Sequence, residues 1–267
     1  MTDGIRAVTF DFGNTLVPFP ATPMAAVLSV TAETAAGLVR CTAGEFARIW
    51  SEERLRQFAE DVPEGREADM DLRVVRVLAR LRGRSLPATG ERWDDEALWA
   101  YCEPGEVEEI LDSYAGAFVL HTPVPSEIGP MLERLAGERR LAILSNWPLA
   151  RAVDRFLEAA GWRRHLAAVI VSQRVGVIKP RPEIFGAAAG ELGLDSGPGI
   201  LHVGDDLGAD VVGAHGVGWL AAWVRLKPED SPLPMAPPAP DASPDITIDS
   251  VLDLEGALGA FERRPVE

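Results

Sequence analysis

The run Ala7-Val8-Thr9-Phe10-Asp11-Phe12-Gly13-Asn14-Thr15-Leu16 decides how the rest of the chain is read. Ala7, Val8 and Phe10 are apolar, and the β-branched Val8 and Thr9 favour extended backbone. Gly13 and Asn14 end the strand, since both tolerate turn geometry. The run therefore reads as a buried strand over Ile5 to Asp11 that delivers one carboxylate, Asp11, into a turn. The ends of strands in open parallel sheets are where such folds build their sites. The alternative reading of Asp11 is a charge that only caps the loop.

Downstream of this strand the pattern is helical. Met24, Val27, Leu28, Leu38 and Val39 fall at roughly helical spacing. Thr42 with Glu45 forms a capping-box pattern ahead of Phe46, Ile49, Trp50, Leu55 and Phe58. A third helix is predicted over 68–81. Asp94-Asp95-Glu96 fits an acidic first turn ahead of Leu98 and Trp99, and Pro104 fits the start of a further helix through Tyr114. After His121-Thr122-Pro123-Val124-Pro125, strands and helices alternate. The strands are predicted at Leu141–Leu144, Ala168–Val171, Ile200–Val203, Trp219–Val224 and Ile246–Ile248. Repeated strand–helix units predict an α/β fold: a doubly wound, Rossmann-like parallel sheet with an inserted α-helical cap. The expected division is residues 1–17 and 122–267 for the core and 18–121 for the cap. The proline-rich stretch from Pro228 to Pro244 reads as a surface excursion without a function.

Composition narrows the partners. The chain has 267 residues, 47% hydrophobic and 25% charged, which suits a soluble globular protein. Its net charge of −15 repels polyphosphate backbones, so nucleic acid is not expected. No apolar run reads as a signal or membrane-spanning segment, and a cytoplasmic protein without a membrane partner is expected, as a monomer or homodimer. Cys41 and Cys102 are too few and too isolated for a disulfide framework or a thiolate metal site.

Polar groups stand at the ends of the predicted strands or in adjacent loops: Asp11, Ser145-Asn146, Lys179, and Gly204-Asp205-Asp206 with Asp210. Singly, each has an ordinary explanation as a cap or a solvated charge. In this order, the set resembles the four motifs of the haloacid dehalogenase superfamily: Asp11 in an apolar-D-F-G-N-T-L context, Leu144-Ser145-Asn146, Val177-Ile178-Lys179-Pro180, and Val203-Gly204-Asp205 with Asp210. The helices after the first motif resemble that family's cap.

The resemblance implies a magnesium-dependent phosphatase acting on a small phosphorylated metabolite. Asp11 would be the nucleophile and a metal ligand, with the Gly13 carbonyl and Asp205 as further ligands and Asp206 or Asp210 completing or supporting the set. Ser145 would bind the transferring phosphoryl group. Lys179 would offset its charge and hold Asp11 ionised. Phe12, Asn146 and Trp147 are the candidate substrate contacts. The oxygen donors suit Mg2+. One departure stands out: Gly13 occupies the place where phosphatases of the family usually carry a second aspartate that protonates the leaving oxygen. Such acid–base help is worth about 10²–10⁴ in rate. Two alternatives follow. One is a non-catalytic binding or regulatory domain. The other is a 2-haloacid dehalogenase, with Arg40 as its carboxylate-binding residue. Among the cap aromatics Phe19, Phe46, Trp50, Trp93, Trp99 and Tyr101, most read as bundle core. His202, on a buried strand, reads as structural.

Overall fold

The computed structural model describes residues 4–84, 86, 100–103, 105–237 and 239–263. Six strands form one sheet: β1 (Ala7–Phe10), β2 (Arg140–Ser145), β3 (Ala168–Val171), β4 (Ile200–Gly204), β5 (Leu220–Val224) and β6 (Ile246–Ile248), in the order β3-β2-β1-β4-β5-β6. Every neighbouring pair is parallel. Phe10 of β1 lies in register with Ile143 on one side and Val203 on the other. The residues that follow, Asp11, Leu144-Ser145 and Gly204-Asp205, therefore leave the sheet side by side at its C-terminal edge.

The strands are nearly continuous apolar runs because both faces are covered. Alternation along them divides the core into two layers. Val8, Phe10, Leu141, Ile143, Leu201 and Val203 join the larger cluster. Ala7, Ala142, Leu144, Ile170 and Ile200 join the smaller one with Ile184, Phe185, Leu192 and Trp219.

Among the described residues, the insert that follows β1 holds α1 (Ala21–Leu38), α2 (Ala43–Glu60), α3 (Met70–Leu81) and α4 (Glu106–His121). Thr42 caps α2 by accepting from the Glu45 N–H, as the sequence pattern predicts. Asp69 caps α3 through the Leu72 N–H. Glu53 on α2 pairs with Arg76 and Arg80 on α3, fixing the two helices to each other. The core adds α5 (Ile128–Ala136), α6 (Ala150–Ala159), α7 (Pro182–Leu192) and α8 (Leu254–Glu262). Helix α4 packs on both α1 and α6, so it ties the inserted helices to the sheet layer. Phe19 and Phe118 stack with ring centroids 5.7 Å apart, and both approach Phe12 and Trp147. The predicted helix at Asp94–Trp99, with Trp93, and the Pro104 start fall outside the described residues.

One expectation is corrected. The proline-rich stretch lies at the surface, with Pro232, Pro234, Met235 and Pro237 exposed, but it is not a free excursion. Residues 231–237 fold back across the C-terminal edge of the sheet, where Ala236 N–H donates to Asp206 (2.6 Å) and Asn14 donates to Ser231 (3.0 Å).

Candidate active site

The turn after β1 is built by its own backbone. Leu16 and Val17 N–H groups donate to the Phe12 carbonyl, and Asn14 N–H donates to Val17 O at 2.7 Å. Asn14 takes a left-handed conformation (φ 57°), which asparagine tolerates better than most residues. Asp11 N–H donates to Val203 O at 2.8 Å, carrying the ladder with β4 one step beyond the strand. The Asp11 carboxylate is thereby held rigidly at the sheet edge.

Lys179 comes from the loop after β3, and its ammonium makes three bonds in a buried setting. It donates to Asp11 Oδ1 (2.8 Å), Asp210 Oδ1 (2.6 Å) and the Leu144 carbonyl (2.9 Å). Its loop is clamped by Asn146, whose amide donates to Lys179 O (3.1 Å) and accepts from Lys179 N–H (2.7 Å). Burial lowers the Lys179 pKa, but the Asp11 and Asp210 carboxylates outweigh burial and leave it raised, so the ammonium stays charged.

Asp210 accepts from Lys179 and from Asp206 N–H (2.9 Å), and shares a 2.9 Å bond with His202 Nε2. Burial raises its carboxyl, yet Lys179 and His202 overcome this and hold it well below the usual range. His202 in turn contacts Thr9 Oγ1 through Nδ1 at 2.8 Å. Burial pushes the imidazole pKa down, which keeps it neutral at pH 7. The histidine read as structural thus orients a carboxylate of the site from behind. Thr9, one pleat before Asp11, was not singled out in the sequence. Its place two residues from Asp11 on the same strand is the one signal that could have marked it.

Asp11, Asp205 and Asp210 each offer an oxygen within 4.8 Å of the others. Burial raises Asp11, against the pull of Lys179. Asp205 is pushed up to about 7 by burial and by the Asp11 and Asp210 charges, and Lys227 only partly offsets this at 3.1 Å. Lys179 serves Asp11 and Asp210, and Lys227 reaches only one oxygen of Asp205, so three buried carboxylates face two ammonium groups, a charge imbalance that a bound divalent cation would relieve. The residues fit such an ion: Asp11 Oδ2 and Asp205 Oδ1 carry no hydrogen bond among the described residues. Asp206 is less suited, because backbone N–H groups of Gly208, Ala209 and Ala236 occupy its oxygens.

These groups line one cavity of about 500 Å3, together with Gly13, Ser145, Asn146 and Trp147. Two sequence expectations do not survive. The Phe12 side chain is fully buried among Phe19, Phe118, Trp147 and Phe156, so its ring belongs to the core and not to the cavity wall. Arg40 is exposed at the end of α1 and lies off the cavity, whereas Arg54 and Arg73, which the sequence reading passed over, line it. Glu67 also lines it, held by Ser172 Oγ and by Ala68 N–H (2.7 Å).

A family model described as haloacid dehalogenase-like hydrolase matches residues 5–218. The pyrimidine 5'-nucleotidase YjjG of Escherichia coli (strain K12) is 29% identical over 174 residues, covering 65% of this chain and 72% of that protein. The phosphoserine phosphatase of Thermus thermophilus is 29% identical over 230 residues, covering 71% and 87%. The crystal structure of a 2-haloacid dehalogenase from Pseudomonas syringae pv. Tomato superimposes with a TM-score of 0.66 at 23% identity, over 96% of this chain and 99% of that one. At this identity the likeness speaks to the fold alone.

Proposed function

Because the chain belongs to the haloacid dehalogenase-like hydrolases, we propose that it hydrolyses a small phosphate monoester through an aspartyl-phosphate on Asp11, with magnesium as cofactor. The observation that carries this reading is the buried cluster of Asp11, Asp205 and Asp210, whose oxygens lie within 4.8 Å of one another, with Lys179 bridging Asp11 and Asp210. A carboxylate that displaces halide from carbon has no need of a cation site, and Asp205 and Asp210 would only repel its substrate. A phosphate dianion needs its charge offset before a carboxylate can approach. The named activities of the nucleotidase and phosphatase relatives agree with this choice.

Asp11 and Asp205 would hold the ion, which supplies charge neutralisation to the phosphoryl oxygens. Asp11 attacks phosphorus, the ester P–O bond breaks, and the alcohol leaves with a proton drawn from solvent. Lys179 lies 2.8 Å from Asp11 and is placed to stabilise charge as it builds on the phosphoryl group. Ser145, at the end of β2, faces the same cavity and would bind a phosphoryl oxygen. Asp210 and His202 hold Lys179 in place. Water then cleaves the acyl phosphate and regenerates Asp11. Gly13 offers no group to protonate the leaving oxygen, so esters with acidic leaving groups should turn over fastest.

The test is phosphate release from a panel of phosphomonoesters, with Mg2+ and with chelator. The expected outcome is turnover that vanishes with chelator and whose rate rises as the leaving group becomes more acidic. Turnover indifferent to chelator would sink the metal-dependent reading. No turnover across the panel, with Mg2+ still bound, would favour a binding domain.

A further inference from the structure

We propose that the organic group of the substrate is apolar and that Leu233, in the folded-back proline-rich segment, sets this preference. This rests on the phosphatase reading and adds a substrate class to it: phosphate monoesters of apolar alcohols, in preference to those of polyols.

The cavity has two unlike ends. Its charged floor is the cluster around Asp11. Away from the floor its walls are Met24, Leu28, Trp50, Phe58, Met70 and Leu233. Leu233 stands directly over the catalytic turn. A Cβ added to Gly13 would lie 2.6 Å from Leu233 Cδ1 and 3.3 Å from Trp147 Cζ3. The space that a side chain at position 13 would fill is therefore taken by a leucine methyl and an indole ring.

The segment carrying Leu233 is fixed to both sides of the cavity. Ser231 accepts from Asn14 (3.0 Å), and the Pro232 carbonyl accepts from Arg54 Nη2 (3.0 Å) on α2. Ala236 N–H donates to Asp206 (2.6 Å) at the sheet edge. Pro232, Pro234 and Pro237 limit its backbone freedom, so little entropy is lost in holding it there. It is a preformed wall.

Several of the polar side chains near this wall are already committed to neighbours. The Asn14 carbonyl accepts from Phe19 N–H (3.2 Å), Ser51 donates to Ala47 O (2.9 Å), and Asn146 is held by Lys179. Arg54 stacks on Phe58 (4.6 Å), and Arg73 stacks on Trp50 (5.2 Å) while bonding Gln57. A polyol entering here would give up water for few matching partners, at a desolvation cost. An alkyl or aryl group loses nothing by entering.

The experiment is steady-state kinetics on ethyl, butyl and hexyl phosphate, whose leaving alcohols are equally acidic, with glycerol 3-phosphate as the polar ester. The expected KM falls by about fourfold for each methylene that the cavity covers. Glycerol 3-phosphate should show a KM well above that of butyl phosphate. In Leu233→Ser the chain-length dependence flattens, and in Leu233→Met most of it returns. A KM independent of chain length, a glycerol ester that binds as well as butyl phosphate, or an unchanged dependence in a folded Leu233→Ser would each overturn the inference while leaving the phosphatase intact. Failure to hydrolyse any of these esters or p-nitrophenyl phosphate would overturn both readings together.

Discussion

At the scale of single residues, ionisable groups are placed where burial makes charge costly, and their neighbours decide which of them stay charged. Lys179 is a buried cation between two buried carboxylates. Removing one partner of such a group typically costs about 3–5 kcal/mol, because the remaining charge is left uncompensated. Glu67 has no cation bonded to it among the described residues and is pushed up to about 7, first by burial, from an ordinary value of 4.5. Between those values the folded protein keeps a proton that the unfolded chain releases. The contribution is fully present below the unfolded value and is lost as pH rises through the folded one. Glu67→Gln should therefore lose less thermal stability than the wild type between pH 5 and 7. The difference should grow to about 2–3 kcal/mol. Parallel melting curves for the two proteins across that range would contradict it. Asp11, Ser145 and Asp205 stood out in the sequence because they close apolar strands, whereas Lys179 and Asp210 were marked by their order in the set and its resemblance to the family's motifs. Phe12 misled because it adjoins Asp11, yet the pleat points neighbouring side chains in opposite directions. Arg54 and Arg73 were illegible because a helical arginine carries no sequence mark of facing a cavity.

At the scale of elements, the sheet was readable and the folded-back segment was not. Parallel strands covered on both faces are short apolar runs between helices, and that pattern is local. All the predicted strands stand in the sheet within a residue or two at their ends. The course of residues 231–237 depends on hydrogen bonds to Asn14, Arg54 and Asp206, each far away in the chain. Proline content marks an irregular segment and says nothing of where it comes to rest. The end of β4 carries its own test. A Cβ on Gly204 would lie only 2.1 Å from Asp210 Oδ2 and 2.7 Å from Asp210 Cβ. Glycine is needed there for the close approach that lets Asp210 reach Lys179 and His202. Gly204→Ala should displace Asp210, lower the melting temperature by several degrees and reduce turnover by at least about tenfold, as loss of about 1.4 kcal/mol from the transition state would do. A variant with wild-type melting and kcat would show that the contact is dispensable.

At the scale of the whole molecule, order along the chain and order across the sheet differ in a way that creates the site. The chain lays β2 and β3 on one side of β1, then returns to place β4, β5 and β6 on the other. The first strand thus ends up central, and its terminal carboxylate meets groups from both halves. The inserted helices close the cavity from above, and α4 joins their apolar core to that of the sheet. Among the described residues no single helix is long and apolar enough to cross a membrane. The most direct test of this account is mass analysis of the Asp11 peptide after acid quench during steady turnover of a phosphomonoester with Mg2+. The account predicts a phosphoryl group on Asp11 in the wild type, and neither adduct nor phosphate release in Asp11→Asn. Turnover without any phosphorylated enzyme, or undiminished phosphate release in Asp11→Asn, would contradict it.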